Sequence, residues 1–263
     1  RERSREPKEI IREIEQLVAD GVVEVMLLGQ NVNSYGNDRE MNFASLLREI
    51  NNIDGDFIIR FMTSHPKDCT HELLDTMAQC EKVAKHLHLP VQCGNDRGLM
   101  NRGYTAEKYL SLLEYARSVM PELSVTSDII VGFPGETYEE FLDTVKLIEK
   151  AQYTSLYTFI FSPREGTRAA KMDDPVSREE KGKWFSELCA AQEKIAAVRT
   201  SAMVGREYRV LCESKAKKDG YISGRTQGNI IIEFPADESV IGSFRTVRVT
   251  EALIWMLKGE LAD

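Results

Sequence analysis

Polar residues follow each of five short apolar runs in this sequence, at the points where the runs end. Gln30 and Asn31 follow the first run, Ser64 and His65 the second, and Gln92 the third. The fourth and fifth runs are followed by GFPGE at 132–136 and SPREG at 162–166. Amides, hydroxyls and backbone-exposing glycines suit a polar small molecule that is bound through many hydrogen bonds. None of these loops places a nucleophile beside a recognisable base.

The spacing of the cysteines and histidines matches no local metal-binding motif. Two of the five cysteines, Cys69 and Cys80, are the nearest pair, and no CxxC or CxxxC cluster occurs. A zinc ribbon or a disulfide framework requires closer pairs, so we expect reduced thiols. The four histidines show neither HxxxH nor HExxH spacing. We therefore predict no metal ligands, and Cys93 lacks an adjacent base that would make it a nucleophile.

Composition excludes several classes of protein. The 263 residues are 42% apolar and 29% charged, with a net charge of −8. No apolar run approaches the ~18 residues of a membrane helix, and the charged start is no secretory signal. We expect a cytoplasmic protein with no membrane contact. Residues 199–263 carry ten basic and nine acidic side chains, whereas the rest of the chain is strongly acidic.

Helical and extended segments alternate up to about Thr200. Strands are predicted at 21–29, 57–62, 83–90, 123–131 and 154–161, each followed by a helix. Thr137 with Glu140, and Ser177 with Glu180, have the spacing of a capping box at a helix start. Strict alternation predicts parallel strands with right-handed crossovers, and ligands then bind beyond the carboxyl ends of the strands. Five strands are too few to close an eight-stranded barrel, and the opening helix suggests an upstream strand.

The sequence pattern changes after Thr200, where predicted short strands alternate with glycine turns. This pattern predicts a small β-barrel of the oligonucleotide-binding kind, and hence domains at 1–200 and 201–263. Four basic residues lie in or beside its predicted turns. They are predicted to contact RNA phosphates, although a solvated hairpin tip would have the same composition. These residues are Lys215, Lys217, Lys218 and Arg225.

Eight segments together resemble the methylthiotransferase family of radical-SAM enzymes, from Arg1 to about Leu261. They are LLGQNVNSYG, SHPKD, LHLPVQ, MNRGYT, SDIIVGFPGET, FIFSPREGT, KKDGYISGRTQGN and LIWMLKGEL. The resemblance implies an α/β fold, a partial (β/α)6 radical-SAM barrel missing its first strand. A TRAM domain, an OB-like RNA-binding β-barrel, would follow it. GQNVNSYG, SGRTQGN and WMLKGEL are similar to the branch that acts on tRNA.

The resemblance also implies an activity and its cofactors. The full-length protein would use S-adenosyl-L-methionine (SAM) and two [4Fe-4S] clusters to add a methylthio group to isopentenylated adenosine beside the tRNA anticodon. Its partners would be tRNA and a reducing system, and it would be a monomer. The family's CxxxCxxC cluster loop precedes the stretch that matches Arg1–Pro7, so this chain alone is expected to lack the cluster ligands and to be inactive.

Other activities stay open. Within the family, the alternatives are threonylcarbamoyl-adenosine in tRNA and an aspartate of a ribosomal protein. Outside it, they are an RNA-binding module without catalysis and a β/α-barrel enzyme that needs no iron.

Their positions at the strand ends give the loop residues their expected roles toward the SAM that the resemblance implies. Gln30 and Asn31 would bind the methionine end of SAM. Polar or ribose contacts would come from Ser64, His65, Gln92 and Asp128. Gly132 would allow close backbone approach, and Phe161 and Ser162 would border the adenine. We expect the side chains of Gln30, Gln92 and Asp128 to converge, because they follow or end parallel strands of one barrel.

Overall fold

The computed structural model describes residues 3–96 and 103–262, which leaves part of the MNRGYT segment outside the described residues. The helices are α1 Pro7–Ala19, α2 Phe43–Asn51, α3 His71–Gln79, α4 Ala106–Val119, α5 Tyr138–Ala151 and α6 Arg178–Ser201. The first five strands are β1 Glu24–Leu27, β2 Ile58–Phe61, β3 His86–His88, β4 Ser124–Val131 and β5 Ser155–Ile160. The last five are β6 Glu207–Lys215, β7 Tyr221–Thr226, β8 Ile231–Pro235, β9 Phe244–Ala252 and β10 Met256–Leu261.

The two predicted capping boxes differ in the structure. Thr137 and Glu140 form the reciprocal pair of bonds at the start of α5. Ser177 caps α6 by accepting a bond from the Glu180 amide. The Glu180 carboxylate instead accepts a bond from Trp184 Nε1 at 3.2 Å, so α6 begins with a simple cap. Packing of Trp184 in the core outweighs the local capping bond.

Five strands, parallel as predicted, lie side by side in chain order. β1 pairs with β2, and β3 pairs with β4, which pairs with β5. A bridge between Ile59 and Val83 joins the two sets, since the amide of Ile59 donates to Lys82 and that of Ala84 to Ile59. The third strand is shorter than predicted, because its first residues make only this bridge.

The strands separate the core from an inner, concave face. On β4, Val125 and Ile129 are fully buried in the core that the helices cover, while Thr126 and Asp128 point the other way. This period of two is that of a strand with two different faces. The concave face carries polar side chains of β2, β3 and β4, among them His88, Thr126 and Asp128.

The last five strands form a closed barrel in the order β10-β8-β7-β6-β9 around Val210, Phe234, Val247 and Leu257. Strands β7 and β10 were not predicted, and Gly224 inside β7 was interpreted as a turn residue. A Cβ on Gly259 would lie 2.6 Å from the carbonyl oxygen of Arg248. Glycine is therefore required here by the close approach of strands.

A buried ion-pair cluster joins the barrel to the parallel sheet. Arg60, 2% exposed on β2, donates to Glu24 at 2.6 Å and to the carbonyl oxygens of Thr226 and Gln227. Arg225 of β7 reaches the same Glu24. The turn after β7 thus covers the amino ends of the strands. Within the described residues, no helix combines the length and apolar character that crossing a bilayer requires.

Candidate functional site

The loops after β1 and β2 are fastened together by side-chain amides. Asn33 Nδ2 donates to the carbonyl of His65 at 3.0 Å, and the His65 amide donates to Asn33 Oδ1 at 2.9 Å. Asn31 Nδ2 donates to Asp68 Oδ2 at 2.7 Å. His65 Nδ1 accepts a bond from the Lys67 amide, so this imidazole orders its own loop. Asn33 and Asp68 were not among the predicted site residues.

Two buried oxygen atoms beside this junction have no hydrogen-bond partner within the described residues. They are Oδ1 of Asn31 and Oγ of Ser64, and Ser64 is only 4% exposed. An unpaired buried polar atom costs roughly 1–3 kcal/mol. Both residues were predicted to contact SAM, and both have unused capacity for a hydrogen-bonding ligand. The loop residues therefore fit a cofactor of this chemistry.

Gln30 lies on a separate wall. Its exposed side chain lines a cleft of about 390 Å³ together with Gly29, Asn31 and Tyr35. The chain's first residues cover one side of this cleft, where the Tyr35 hydroxyl donates to the carbonyl of Arg5 at 2.8 Å. Gln92 and Asp128 do not line it.

Gln92 lies after β3, where it makes an isolated bridge to β4 next to Asp128. The Gln92 amide donates to the carbonyl of Asp128 at 2.9 Å, and Gln92 has a φ of 74°, a left-handed conformation that directs the chain out of the strand. The backbone thus places Gln92 beside Asp128, while Gln30 lines another cleft, and convergence of the three side chains stays a prediction. The assignment of all three to SAM stays a prediction.

A hydrogen-bonded chain of side chains runs along the concave face to Asp128. Thr126 Oγ1 lies 3.0 Å from His86 Nε2 and 3.0 Å from His88 Nδ1. His88 Nε2 in turn faces Asp128 Oδ1 at 3.6 Å. Burial lowers the pKa of His86 to about 3 and also lowers the pKa of His88, against the opposing charge of Asp128. The lowered pKa values favour neutral rings, and the direction of each bond to Thr126 depends on the tautomer of its ring.

Gly132 and Glu136 shape the loop after β4. Glu136 Oε2 accepts the amide of Gly132 at 2.6 Å and that of Phe133 at 3.2 Å. Burial raises the pKa of Glu136 to about 7, against those two backbone bonds. Gly132 has a φ of 73°, and a Cβ there would meet the Lys181 side chain. Glycine is therefore required here by packing within the chain, and the close approach of its backbone to SAM stays a prediction.

The predicted adenine border lies at the end of β5. Phe161 packs edge-on against Phe133, with ring centroids 5.1 Å apart, and Ser162 is exposed. The Phe161 amide donates to the carbonyl of Val131, which fixes the loop after β5 beside the loop after β4. These two loops therefore meet at the carboxyl ends of their strands, as a strand-end site requires.

The predicted RNA contacts have different surroundings. Lys215 pairs with Glu238, and Lys218 lies 3.8 Å from the ring centroid of Tyr221. Lys217 is exposed at the hairpin tip. Arg225 lies at the domain junction, where it binds Glu24, Glu213 and Asn229. Its assignment to RNA stays a prediction, but its side chain is committed to contacts within the chain.

The cysteines do not fit an iron–sulfur cluster. Clusters are held by thiolates, and thiolates form where the pKa is low. Burial instead raises the pKa of Cys69 to about 12 and raises the pKa of Cys93. Within residues 3–96 and 103–262, no three His, Cys, Asp or Glu side chains are grouped to hold a metal ion.

Comparison with known families assigns the class of protein. The profile of the Radical SAM superfamily matches residues 1–148, and that of the TRAM domain matches residues 201–262. The chain therefore belongs to the Radical SAM superfamily.

Individual proteins that are similar to the chain share one name. The chain is 47% identical over 268 residues to a Moorella thermoacetica protein named tRNA-2-methylthio-N(6)-dimethylallyladenosine synthase, covering 100% of this chain and 60% of that protein. A Thermoanaerobacter sp. protein of the same name is 45% identical, with 100% and 57% covered. The chain thus spans about 60% of the length of these relatives.

A solved structure supports the fold alone. Coproporphyrinogen III oxidase from Escherichia coli, described as a radical SAM enzyme, superimposes with a TM-score of 0.55 at 16% identity. The match covers 84% of this chain and 60% of that one.

Proposed function

We propose that the whole protein containing this chain is a tRNA methylthiotransferase that acts on isopentenylated adenosine beside the anticodon. One observation carries the proposal: alignment with relatives of that name runs through both the parallel sheet and the TRAM barrel. The substrate is tRNA, the cofactors are SAM and two [4Fe-4S] clusters, and a reducing system supplies electrons. Five cysteines free of disulfides fit the reducing cytoplasm, and we propose a monomer.

SAM, when bound with a reduced cluster, supplies the radical and methyl chemistry. The residues of this chain position the cofactor. Asn31 and Ser64 offer their unpaired oxygen atoms, and Glu136 holds the backbone of Gly132 and Phe133 in place. The His86–Thr126–His88 chain fixes the groups next to Asp128 without adding charge. No step through a cluster follows from the described residues.

The TRAM barrel is proposed to bring tRNA to the concave face. The Arg60–Glu24–Arg225 cluster supports this role, because it fixes the barrel against the sheet. Exposed Lys217 extends from the far hairpin and can neutralise a phosphate. A barrel that binds RNA while attached rigidly to the sheet would orient the anticodon loop toward the concave face.

Complementation tests the proposal. The whole protein would be produced in a bacterial strain that lacks its own methylthiotransferase, and digested tRNA would be analysed by mass spectrometry. We expect isopentenyladenosine to be converted to its 2-methylthio form. Methylthiolation of threonylcarbamoyl-adenosine or of a ribosomal-protein aspartate instead would contradict the assigned substrate. No modification, with tRNA binding retained, would point to a binding module.

A further inference from the structure

A small cleft at the junction of the two domains is bordered by half-exposed aromatic rings from each. Its volume is about 260 Å³. Tyr157 of β5 is 48% exposed, and Trp255, in the turn between β9 and β10, is 50% exposed. His88 packs edge-on against Tyr157, with ring centroids 5.6 Å apart, which holds the tyrosine ring on the concave face. Half-exposed aromatic rings are the usual platforms on which nucleobases stack.

The floor of this cleft consists of hydroxyl groups. Ser124 is the most informative, because it is 3% exposed and its Oγ has no hydrogen-bond partner within the described residues. A buried hydroxyl of this kind is costly unless a ligand completes it. The hydroxyl residues that line the cleft are Ser124, Thr126, Thr154, Ser155 and Thr200. Of these, the unpaired Ser124 hydroxyl can donate to or accept from the polar edge of a base.

A larger cleft of about 530 Å³ continues from the first, sharing Ser124, Thr154 and Gly228 with it. Arg199 and Arg206 are on its wall. Within residues 3–96 and 103–262, the Arg199 guanidinium makes one long bond, 3.4 Å, to the carbonyl of Leu123, which leaves most of its donors for an anion. The two clefts together place aromatic rings and hydroxyls beside positive charge.

We infer that the cleft between Tyr157 and Trp255 binds the base of an unpaired RNA nucleotide, with its phosphate toward Arg199. This inference rests on the proposed function. Ser124 and Ser155 begin β4 and β5, so the cleft lies at the opposite ends of the strands from the proposed SAM residues. The nucleotide held here is therefore not the modified adenosine but another nucleotide of the anticodon stem-loop. Its stacking would set the register of the anticodon loop.

Substitutions of Trp255 test the site with this chain and a synthetic anticodon stem-loop that carries isopentenyladenosine. Loss of one stacking platform in Trp255→Ala should weaken the Kd about 5- to 100-fold. Trp255→Phe keeps a ring and should stay within about threefold, because stacking tolerates different aromatic faces. The slope of affinity against salt should not change, since the variant keeps every basic side chain that can bind a phosphate. Ile241→Ala removes another exposed apolar side chain of the same barrel and serves as the matched control.

Two further measurements separate stacking from a merely structural effect. Trp184 and Trp255 are the two tryptophans, and Trp184 is buried, so RNA should quench fluorescence in the wild type and leave Trp255→Phe unquenched. A series of stem-loops, each with one abasic nucleotide, should show one position that weakens wild-type binding but not Trp255→Ala binding. If every abasic substitution weakens the binding of the wild type and of Trp255→Ala by the same factor, the inference is overturned.

The outcomes distinguish this site from the proposed function. If the whole protein modifies tRNA while Trp255→Ala binds the stem-loop like the wild type, the cleft fails and the function stands. If the wild-type chain binds no RNA, the cleft fails together with the proposed role of the barrel. If Trp255 fluorescence is already quenched in the whole protein without RNA, a segment of the protein itself occupies the cleft, and that result would contradict the inference.

Discussion

Nη2 of Arg225 lies 2.9 Å from Oε1 of Glu24, so a strand of the TRAM barrel is ion-paired to the first described strand of the parallel sheet. Arg60 completes the cluster from β2, and its guanidinium also binds two carbonyl oxygens of the turn after β7. Two arginines thus pair with one carboxylate and join the barrel to the sheet. For Arg225, the sequence had suggested RNA contact.

Replacing Arg60 by Ala should strongly destabilise the chain. The substitution leaves Glu24 with one partner and two buried carbonyl oxygens without a donor, and loss of one member of a buried pair costs about 3–5 kcal/mol. Arg48→Ala removes a pair with Glu72 that is exposed, and should cost about 0–1 kcal/mol. Urea unfolding of both variants measures the free energies. Equal losses would show that the cluster contributes little to stability.

Replacing Lys217 by Ala should weaken tRNA binding and flatten its salt dependence. Removing one phosphate-binding side chain reduces the slope of log affinity against log salt by about 0.7–0.9. Lys146→Ala, an exposed lysine on α5, is the control and should leave the slope unchanged. Fluorescence anisotropy over a salt series provides the measurement. An unchanged slope for Lys217→Ala, and for the Lys215, Lys217, Lys218 triple variant, would indicate a solvated tip only.

Raising the pH from 4.5 to 7 should destabilise the chain through Glu136. Its pKa in the folded state, about 7, is above the unfolded value, so the folded state binds more protons in this window and stability falls as pH rises. The loss is about 2–3 kcal/mol relative to Glu136→Gln, which cannot titrate. Unfolding free energies of both proteins across this range test the claim. Parallel pH profiles would contradict it.

Replacing Ser64 by Ala should separate stability from ligand binding. Removal of the unpaired hydroxyl should stabilise the free chain by about 1 kcal/mol. The same change should weaken binding of S-adenosylhomocysteine, measured by calorimetry, because the variant has no hydroxyl to offer the ligand. Ser118→Ala, whose Oγ donates within α4, is the control for binding. Lower stability with unchanged affinity would make Ser64 structural.

The parallel sheet could be predicted from sequence because each strand is a short apolar run with a polar loop after it. The TRAM barrel was predicted less completely. Gly224 was interpreted as a turn residue and Gly259 was given no role, but each lies inside a strand where a Cβ would meet the neighbouring backbone. That requirement arises from strand pairing distant in sequence, so local composition could not indicate it.

In the candidate site, too, contacts between segments distant in sequence could not be predicted. Polar loops after the strands were predicted, but the bonds between Asn33 and His65 and between Asn31 and Asp68 depend on how two loops meet. Glu136 also escaped prediction, since a glutamate after glycine is typical of an exposed turn. Its burial is set by the packing of Lys181 and the loop around it.

The most direct test of the account uses the purified whole protein with reconstituted clusters, SAM, a reductant and a synthetic anticodon stem-loop. The stem-loop would carry isopentenyladenosine, and a matched one would carry threonylcarbamoyl-adenosine. We predict that mass spectrometry finds one methylthio group in place of hydrogen on the isopentenylated base alone. Modification of the matched stem-loop, or of neither while SAM is consumed, would contradict the proposed function.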